Sequence, residues 1–259
     1  MSKEKFLALD AGNSNIVMGL FLGDELCHQW RIHTDRKKLT DEYSDMVDSL
    51  LQKIDIKPED IDIIGISNVV PSLGQVFENL SREHFKIEPF FVNISNQLNF
   101  QVSIDNPREL GADLIAAAAS AVEKYKTPCI IIDFGTATTI TAINGQGQFL
   151  GGAIAPGLAV SSEALYSRAP HLPRIRLKPP PSVIGANTVH AMQAGMFTGY
   201  GHLVRGLVRD MKTLLDSPAK VVATGGLAEI FREEPDLLDA LDPCLVLDGI
   251  RILHRLNCR

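Results

Sequence analysis

Two stretches of the sequence share one pattern, and this repeat constrains the fold more than any other feature. Residues 6–26 read FLALDAGNSNIVMGLFLGDEL and residues 129–149 read CIIIDFGTATTITAINGQGQF. Each copy predicts a strand, a D-x-G turn followed by polar residues, and two further strands, so we expect an α/β fold with two lobes related by duplication. The ungapped alignment pairs these residues: Asp10 with Asp133, Gly12 with Gly135, Asn13 with Thr136, and Asn15 with Thr138.

The two D-x-G turns have the composition of a phosphate-binding site. Glycine lets backbone N–H groups approach a ligand closely, and small polar side chains add hydrogen-bond donors. The aspartate would repel a phosphate directly, so it is explained best if a cation lies between the two. The sequence therefore predicts that two facing turns clamp the phosphates of a nucleotide between the lobes. The polar side chains expected to donate are Asn13, Ser14, Thr136 and Thr138.

Ordinary hairpin chemistry is the alternative interpretation, because aspartate and glycine are common in turns. Two copies of the turn, each after an apolar strand, favour a functional role instead. A third apolar strand ends in Thr224-Gly225-Gly226, which we expect to open a helix and to offer backbone N–H groups to an anion. The segment GQGQFLGG lacks G-x-G-x-x-G spacing and is interpreted as a plain turn.

Helical periodicity occurs in the segments between and after the repeats. It predicts a helix over 40–54 with Thr40 as its N-cap, an alanine-rich helix ending near 125, and a closing helix over 245–256. Two more helices are expected over 158–167 and 188–215.

Composition excludes several classes of protein. The 259 residues are 45% hydrophobic and 22% charged, as in an ordinary soluble domain, and the net charge of −6 argues against a nucleic-acid binder. No apolar stretch approaches a membrane span or a signal peptide. The four cysteines lack C-x-x-C spacing and the seven histidines lack a metal-binding pattern, so we expect reduced thiols and a cytoplasmic location.

An ordered set of motifs along nearly the whole chain resembles the type III pantothenate kinases, a family of the acetate kinase/Hsp70/actin-like superfamily. The motifs are DAGNSN from Asp10, ISNVVP from Ile66, NPRELGAD from Asn106, DFGTATT from Asp133, GGAIAPGL from Gly151, PPSVIGANT ending at Thr188, AMQAGMFTGY from Ala191 and ATGG from Ala223.

The resemblance implies a fold and an activity. Two ribonuclease-H-like (actin-like ATPase) lobes are expected over residues 1–115 and 116–259, with the site in the cleft. The expected reaction transfers the γ-phosphoryl group of ATP to the primary hydroxyl of pantothenate, giving 4′-phosphopantothenate in the first step of coenzyme A biosynthesis. The family needs a divalent cation such as Mg²⁺ and a monovalent cation such as K⁺ or NH₄⁺, and it works as a homodimer.

The resemblance also implies roles for matching residues. Asp113 would be the catalytic base, although by position alone it could be a capping aspartate of the alanine-rich helix. Asp10 would act through the divalent cation, Asp133 would bind the monovalent cation, and Thr136 would contact ATP. The remaining phosphate-binding residues would be Ala11, Gly12, Asn13, Ser14, Asn15, Ile16 and Val17. The acceptor would be contacted by Gly111, Ala112, Asp113 and Thr188, and by the positions of Ile104 and Leu114.

Three acceptor-side positions depart from the family pattern. Leu114 stands where the family has arginine, Ile104 where it usually has tyrosine, and Ala186 where a basic residue is common. Because pantothenate carries a carboxylate, three alternatives stay open: ordinary activity with compensating residues, a kinase for a less anionic acceptor, or a weak or inactive paralogue that binds nucleotide and serves a partner role. Retention of all three aspartates, Asp10, Asp113 and Asp133, argues against a complete loss of activity.

Overall fold

A computed structural model describes residues 3–234 and 236–258. The chain forms two compact units that are discontinuous in sequence. The first unit comprises the chain up to Asn99, residues Asn106–Ser120 and the chain from Leu245 onwards. The second comprises Phe100–Asp105 and Ala121–Cys244. The division predicted from the sequence, at residue 115, is a single cut and does not describe this exchange of segments.

A five-stranded sheet forms the centre of the first unit, in the order β3-β2-β1-β4-β5. The first three strands form the predicted antiparallel meander, whereas β4 pairs in parallel with β1 and with β5. The strands are β1 (Lys5–Ala11), β2 (Asn15–Leu22), β3 (Glu25–His33), β4 (Ile63–Asn68) and β5 (Phe90–Phe91).

Helices cover the sheet of the first unit. They are α1 (Thr40–Gln52), α2 (Gly74–Asn79) with a π-helical turn after it (Leu80–His84), the first part of α3 (Ala112–Tyr125), and α7 (Leu245–Asn257). Helix α1 begins at Thr40 and ends two residues before the predicted end at 54, and its N-cap is Leu39 and not Thr40 as predicted. The Leu39 N–H donates to Glu42 Oε2 at 3.0 Å, so the side chain of Glu42 satisfies one of the free N–H groups at the helix start.

The sheet of the second unit has six strands in the order β11-β10-β7-β8-β9-β6. Read from β9 to β11, this order repeats that of the first unit, and β6 is added beside β9. The predicted duplicated α/β fold is thereby confirmed. The strands are β6 (Gln101–Val102), β7 (Cys129–Phe134), β8 (Ala137–Ile143), β9 (Gln148–Pro156), β10 (Lys220–Thr224) and β11 (Ala240–Leu241).

The ungapped alignment of the two repeats is wrong beyond the D-x-G turn. Asp10 pairs with Val17 across the first hairpin, but Asp133 pairs with Thr139, six residues on and not seven. The second turn is therefore one residue shorter, and Thr138 corresponds to Ile16. Since side chains alternate between sheet faces, this shift changes which residues of β8 point towards the core.

Helices and aromatic rings build the core of the second unit. Phe231 stacks on Phe134 with ring centroids 4.7 Å apart and on Phe197 at 5.3 Å. The helix predicted over 188–215 is interrupted, because a π-helical turn separates two α-helices and the second ends at Lys212. The helical segments are α4 (Leu158–Arg168), α5 (Thr188–Gln193), the π-helical turn (Ala194–Gly199), α6 (Tyr200–Lys212) and a 3₁₀ turn (Ala228–Phe231).

Helix α7 belongs to the first unit because its apolar face packs on β1 and β4. Ile250 and Leu247 are both buried, and a Cβ atom at Gly65 of β4 would lie 2.6 Å from Ile250 Cγ2. The small residue lets the helix approach the sheet closely. Within residues 3–234 and 236–258, no helix has the length and apolar character that crossing a membrane requires.

Candidate active site

The turn between β1 and β2 is held by main-chain hydrogen bonds. The Gly12 N–H donates to the Asn15 carbonyl at 3.0 Å. Thr34 fixes the turn from the side, since its Oγ1 donates to the Gly12 carbonyl at 2.7 Å and its N–H donates to the Ser14 carbonyl at 3.0 Å. The structure thus gives this short polar turn a defined conformation, as a preorganised phosphate site requires.

The residues of the predicted phosphate segment differ in how far their side chains are buried. Ala11 and Ile16 are fully buried in the core, so only their main-chain atoms are candidates for ligand contacts. Val17 is half-buried. Asn13 is exposed, and its Oδ1 accepts a hydrogen bond from Arg36 Nη2 at 2.8 Å. An arginine at this turn adds positive charge where an anion is expected.

Asp10 occupies the end of β1 beside the polar turn. The neighbouring residue on β4 is Ser67, which is fully buried and whose Oγ donates to Asp10 Oδ1 at 2.9 Å. Sequence reasoning included ISNVVP among the motifs but gave Ser67 no role. The signal available was a polar residue that follows directly on the apolar run of a buried strand.

Asp113 lies in the first turn of α3, where the sequence predicted the base. Its Oδ1 accepts the Leu114 N–H at 2.7 Å. Burial raises the pKa of the Asp113 carboxyl above its ordinary value, and hydrogen bonds from the N–H groups of Leu114 and of Asp113 itself oppose that rise. A Cβ atom at Gly111 would lie 2.6 Å from Asp113 Oδ1, so glycine leaves room for this carboxylate.

One short segment after β4 joins the phosphate turn to the acceptor motif. The Val69 N–H donates to the Ala11 carbonyl at 3.1 Å. On the other side, Val69 Cγ1 lies 3.5 Å from the point where a Cβ atom of Gly111 would be. The first unit therefore brings the Asp10 turn and the G-A-D motif to the same place. The sequence predicted both, but not the segment that joins them.

The second unit brings two other predicted turns together. Asp133 ends β7 with Thr224 of β10 directly beside it. Gly225 has φ of +92°, and a Cβ atom there would collide with Asp133 Oδ1. The Thr224-Gly225-Gly226 turn thus contacts the Asp133 carboxylate, as two parts of one site would. It is followed only by the 3₁₀ turn and not by the expected α-helix, so a helix dipole adds little there.

Thr138 is not available as the phosphate donor that the sequence suggested. Its side chain is buried, and its Oγ1 lies 2.7 Å from the hydroxyl of Tyr200. The Tyr200 hydroxyl in turn donates to the Pro156 carbonyl at 2.8 Å, and burial raises the pKa of this tyrosine. The shorter second turn explains the difference, because it places Thr138 on the core face. Thr136, by contrast, is exposed.

The remaining acceptor-side positions lie in the second unit. Ile104 Cγ2 is 3.5 Å from the point where a Cβ atom of Gly151 would be. Thr188 is exposed at the start of α5, where Asn187 caps the helix by accepting the His190 N–H at 2.9 Å. Their assignment to the acceptor site stays a prediction. Within the described part of the chain, no three His, Cys, Asp or Glu side chains form a group able to hold a metal ion.

Comparison with solved structures supports the fold. MreB 5 of Spiroplasma citri, solved with bound AMPPNP, matches with a TM-score of 0.55 at 12% sequence identity, covering 97% of this chain and 96% of that one. At this level of identity the match concerns the fold alone, which is of the actin-like, two-lobed ribonuclease-H type.

Sequence comparison carries the family assignment. The model of the type III pantothenate kinase family matches residues 6–210. A type III pantothenate kinase from a Geobacter species is 47% identical over 251 residues, covering 97% of this chain and 99% of the relative. A type III pantothenate kinase from Geobacillus kaustophilus is 46% identical over 249 residues, covering 96% of each. The chain belongs to the type III pantothenate kinase family.

Proposed function

We propose that this protein transfers the γ-phosphoryl group of ATP to the primary hydroxyl of pantothenate, the first step of coenzyme A biosynthesis. One observation carries the proposal beyond family membership: Val69 contacts both the Asp10 turn and the G-A-D motif of Asp113. A kinase must place a phosphate-binding group and a base close to the same reacting atoms.

Phosphate binding falls to the turn that follows Asp10. Its exposed and half-buried residues, from Gly12 to Asn15, include the polar side chains of Asn13 and Ser14, and the Gly12 N–H shapes the turn through its bond to the Asn15 carbonyl. Arg36 lies beside them through its bond to Asn13. Thr136 of the second unit is an exposed hydroxyl in the matching turn and is assigned to the same nucleotide.

Asp113 acts as the base in this proposal. It orients the acceptor hydroxyl and accepts its proton as the oxygen attacks phosphorus in line. The raised pKa of its carboxyl increases its affinity for the proton that it accepts. Phosphoryl transfer relies chiefly on positioning and charge neutralisation, so a base of this kind suffices and no phosphoenzyme is required.

The two turn aspartates suit different cations. Oxygen ligands suit Mg²⁺, which proteins commonly hold through one or two carboxylates and the substrate's phosphates. Asp10 supplies such a carboxylate at the phosphate turn, and a bound Mg²⁺ would neutralise charge on the transferring group. Asp133 is assigned to the monovalent cation on the resemblance to the family, and the room left by Gly225 lets its carboxylate lie against the Thr224-Gly225-Gly226 turn.

The acceptor is assigned to Gly111, Ala112 and Leu114 around the base, and the resemblance to the family assigns Ile104 and Thr188 to it as well. Arginine is absent at position 114, so the pantothenate carboxylate must be recognised by other groups or be bound more weakly. On the resemblance to the family, the protein is also proposed to be a homodimer and to work in the cytoplasm.

The test is ADP release by the purified protein with Mg-ATP and K⁺, with and without pantothenate, together with mass spectrometry of the product. We expect pantothenate-dependent ADP release and one phosphorylated product. ADP release that pantothenate does not stimulate, but that another hydroxyl compound does, would contradict the choice of acceptor. ATP binding without any acceptor-dependent turnover would instead support an inactive, nucleotide-binding paralogue.

A further inference from the structure

We propose that Ser67 is a positioning residue that holds the carboxylate of Asp10 in the orientation needed at the divalent cation, a role that rests on the function proposed above. Ser67 Oγ donates to Asp10 Oδ1 at 2.9 Å. The two residues are direct neighbours on the parallel strands β4 and β1, so the bond needs no long or flexible side chain.

The sheet fixes the backbone of Asp10 but leaves its carboxylate to be oriented. Asp10 is paired with Val17 on one side and with Ser67 on the other. Rotation about the terminal side-chain bond of aspartate is soft, with a broad, two-fold preference. A hydrogen bond to Oδ1 restricts this rotation and thereby sets the direction of Oδ2. Partners of this kind, one shell outside the metal, tune the affinity of metal sites.

The buried surroundings of Ser67 argue against a purely structural reason for a serine at this position. The residues before it on β4 are Ile64, Gly65 and Ile66, all buried, and Ser67 is itself 0% exposed. An apolar side chain would suit such a position, because a buried hydroxyl must find a hydrogen-bond partner. Its bond to Asp10 gives the hydroxyl that partner and explains why a serine occupies this buried position of the strand.

The second unit repeats the arrangement independently. Thr224 stands beside Asp133 in the parallel register of β10 and β7, as Ser67 stands beside Asp10. Thr224 is buried as well, at 2% exposed. Both copies of the fold therefore place a buried hydroxyl residue next to the aspartate that precedes the polar turn. This recurrence also shows that threonine is compatible with such a position.

The experiment compares Ser67→Ala, Ser67→Thr and Asp10→Asn with a matched control, Ser81→Ala. Ser81 is also fully buried in the first unit, and its Oγ donates to the Phe77 carbonyl at 2.8 Å, away from the turn. Calorimetric titration measures ATP affinity with Mg²⁺ and with a chelator, and the Mg²⁺ activation curve of ADP release is recorded in parallel. Thermal unfolding checks that every variant is folded.

We expect Ser67→Ala to weaken the Mg²⁺-dependent gain in ATP affinity by about 10- to 100-fold, the usual effect of losing an outer-shell partner. ATP affinity in chelator should not change, and Ser67→Thr should recover most of the loss. Ser81→Ala should lower the unfolding temperature while keeping the wild-type response to Mg²⁺.

The outcomes separate this proposal from the proposed function. If Asp10→Asn loses the Mg²⁺ response and Ser67→Ala keeps it, Ser67 does not position Asp10. If Asp10→Asn also responds to Mg²⁺ as the wild type does, the role of Asp10 itself is wrong, and the proposal for Ser67 is overturned with it. Equal losses of Mg²⁺ response in Ser67→Ala and Ser81→Ala would likewise contradict it, because they would indicate general destabilisation.

Discussion

Asp113, the proposed base, carries a cost in stability. Burial raises the pKa of its carboxyl, which means that the folded protein binds this proton more tightly than the unfolded chain does. The free energy of unfolding therefore gains from Asp113 at low pH and loses that contribution as pH rises through the folded-state pKa. Above that pKa, the buried and ionised carboxylate is a cost to the stability of the fold.

Replacing this carboxylate by its neutral isostere should stabilise the protein. We expect Asp113→Asn to raise the unfolding temperature by about 2–4 °C at pH 8, corresponding to roughly 1 kcal/mol for a chain of this size. The gain should shrink as pH falls, because wild-type Asp113 then becomes protonated. Thermal unfolding between pH 5 and pH 8 checks this, with the exposed Asp105→Asn as control. A variant less stable than the wild type at pH 8 would contradict the account.

The same carboxyl should set the acid limb of the reaction. The base must be ionised, so kcat at saturating substrates should fall with decreasing pH through a single ionisation. Because burial raises the pKa of Asp113, the midpoint should lie above the value of about 3.9 typical of an exposed aspartate. The pH profile of kcat measures this midpoint. A residual activity of Asp113→Asn with the same acid limb would assign the ionisation elsewhere.

Candidate residues could be picked from the sequence where a motif pointed to them. Asp10, Asp113 and Asp133 stand in such motifs. Ser67 also stands in a motif, ISNVVP, but it was given no role, because its meaning depends on the parallel register that puts β4 beside β1. Register between strands that are distant in sequence follows from the packing of the whole sheet, which no local pattern encodes.

Among the turns, the one at Gly225 depends most strictly on its residue type. Its φ of +92° disfavours any side chain, and a Cβ atom would also collide with Asp133. Gly147 offers a matched control, since its φ is +74° but its Cβ would meet nothing within 4 Å. Gly147→Ala should lower the free energy of unfolding by only about 1–2 kcal/mol, which is the cost of a left-handed backbone conformation for a residue with a side chain.

We expect Gly225→Ala to lose more stability than Gly147→Ala and to raise the concentration of K⁺ needed for half-maximal activity. Denaturant unfolding and K⁺ titration of both variants test this. Equal losses of stability with unchanged K⁺ dependence would mean that contact between the turn and Asp133 has no functional consequence.

Strands and helices were predicted well in their type and less well in their details. Apolar runs and helical periodicity indicate an element directly, which is why both meanders and the alanine-rich helix were correctly placed. The one-residue difference between the two hairpins and the π-helical turn Ala194–Gly199 were missed. Both change register without changing the apolar pattern, so the sequence carries little local signal for them.

Across the whole molecule, the C-terminal helix completes the unit that begins with the first strand. Leu247 of α7 is 2% exposed, and a Cβ atom at Gly19 of β2 would collide with its side chain. Leu247→Ala should therefore lower the free energy of unfolding by about 2–5 kcal/mol. The control is the same substitution at Leu214, which is 79% exposed and should change stability by less than about 0.5 kcal/mol.

Denaturant unfolding measures the free energy of unfolding of the two leucine variants. Similar losses of stability in both would show that α7 is not part of the core of the first unit. A division by sequence order alone could not anticipate this arrangement. Chain segments join a compact unit according to which apolar faces pack together, and α7 packs its apolar face on a sheet formed by strands near the start of the chain.

The central claim is that Asp113 is the base of an ATP-dependent pantothenate kinase. The most direct measurement is pantothenate-dependent ADP release by wild type, Asp113→Asn and Asp105→Asn, with ATP affinity measured on the same samples. We expect pantothenate-dependent ADP release to fall at least about 100-fold in Asp113→Asn only, with unchanged ATP affinity. Wild-type turnover by Asp113→Asn would contradict it.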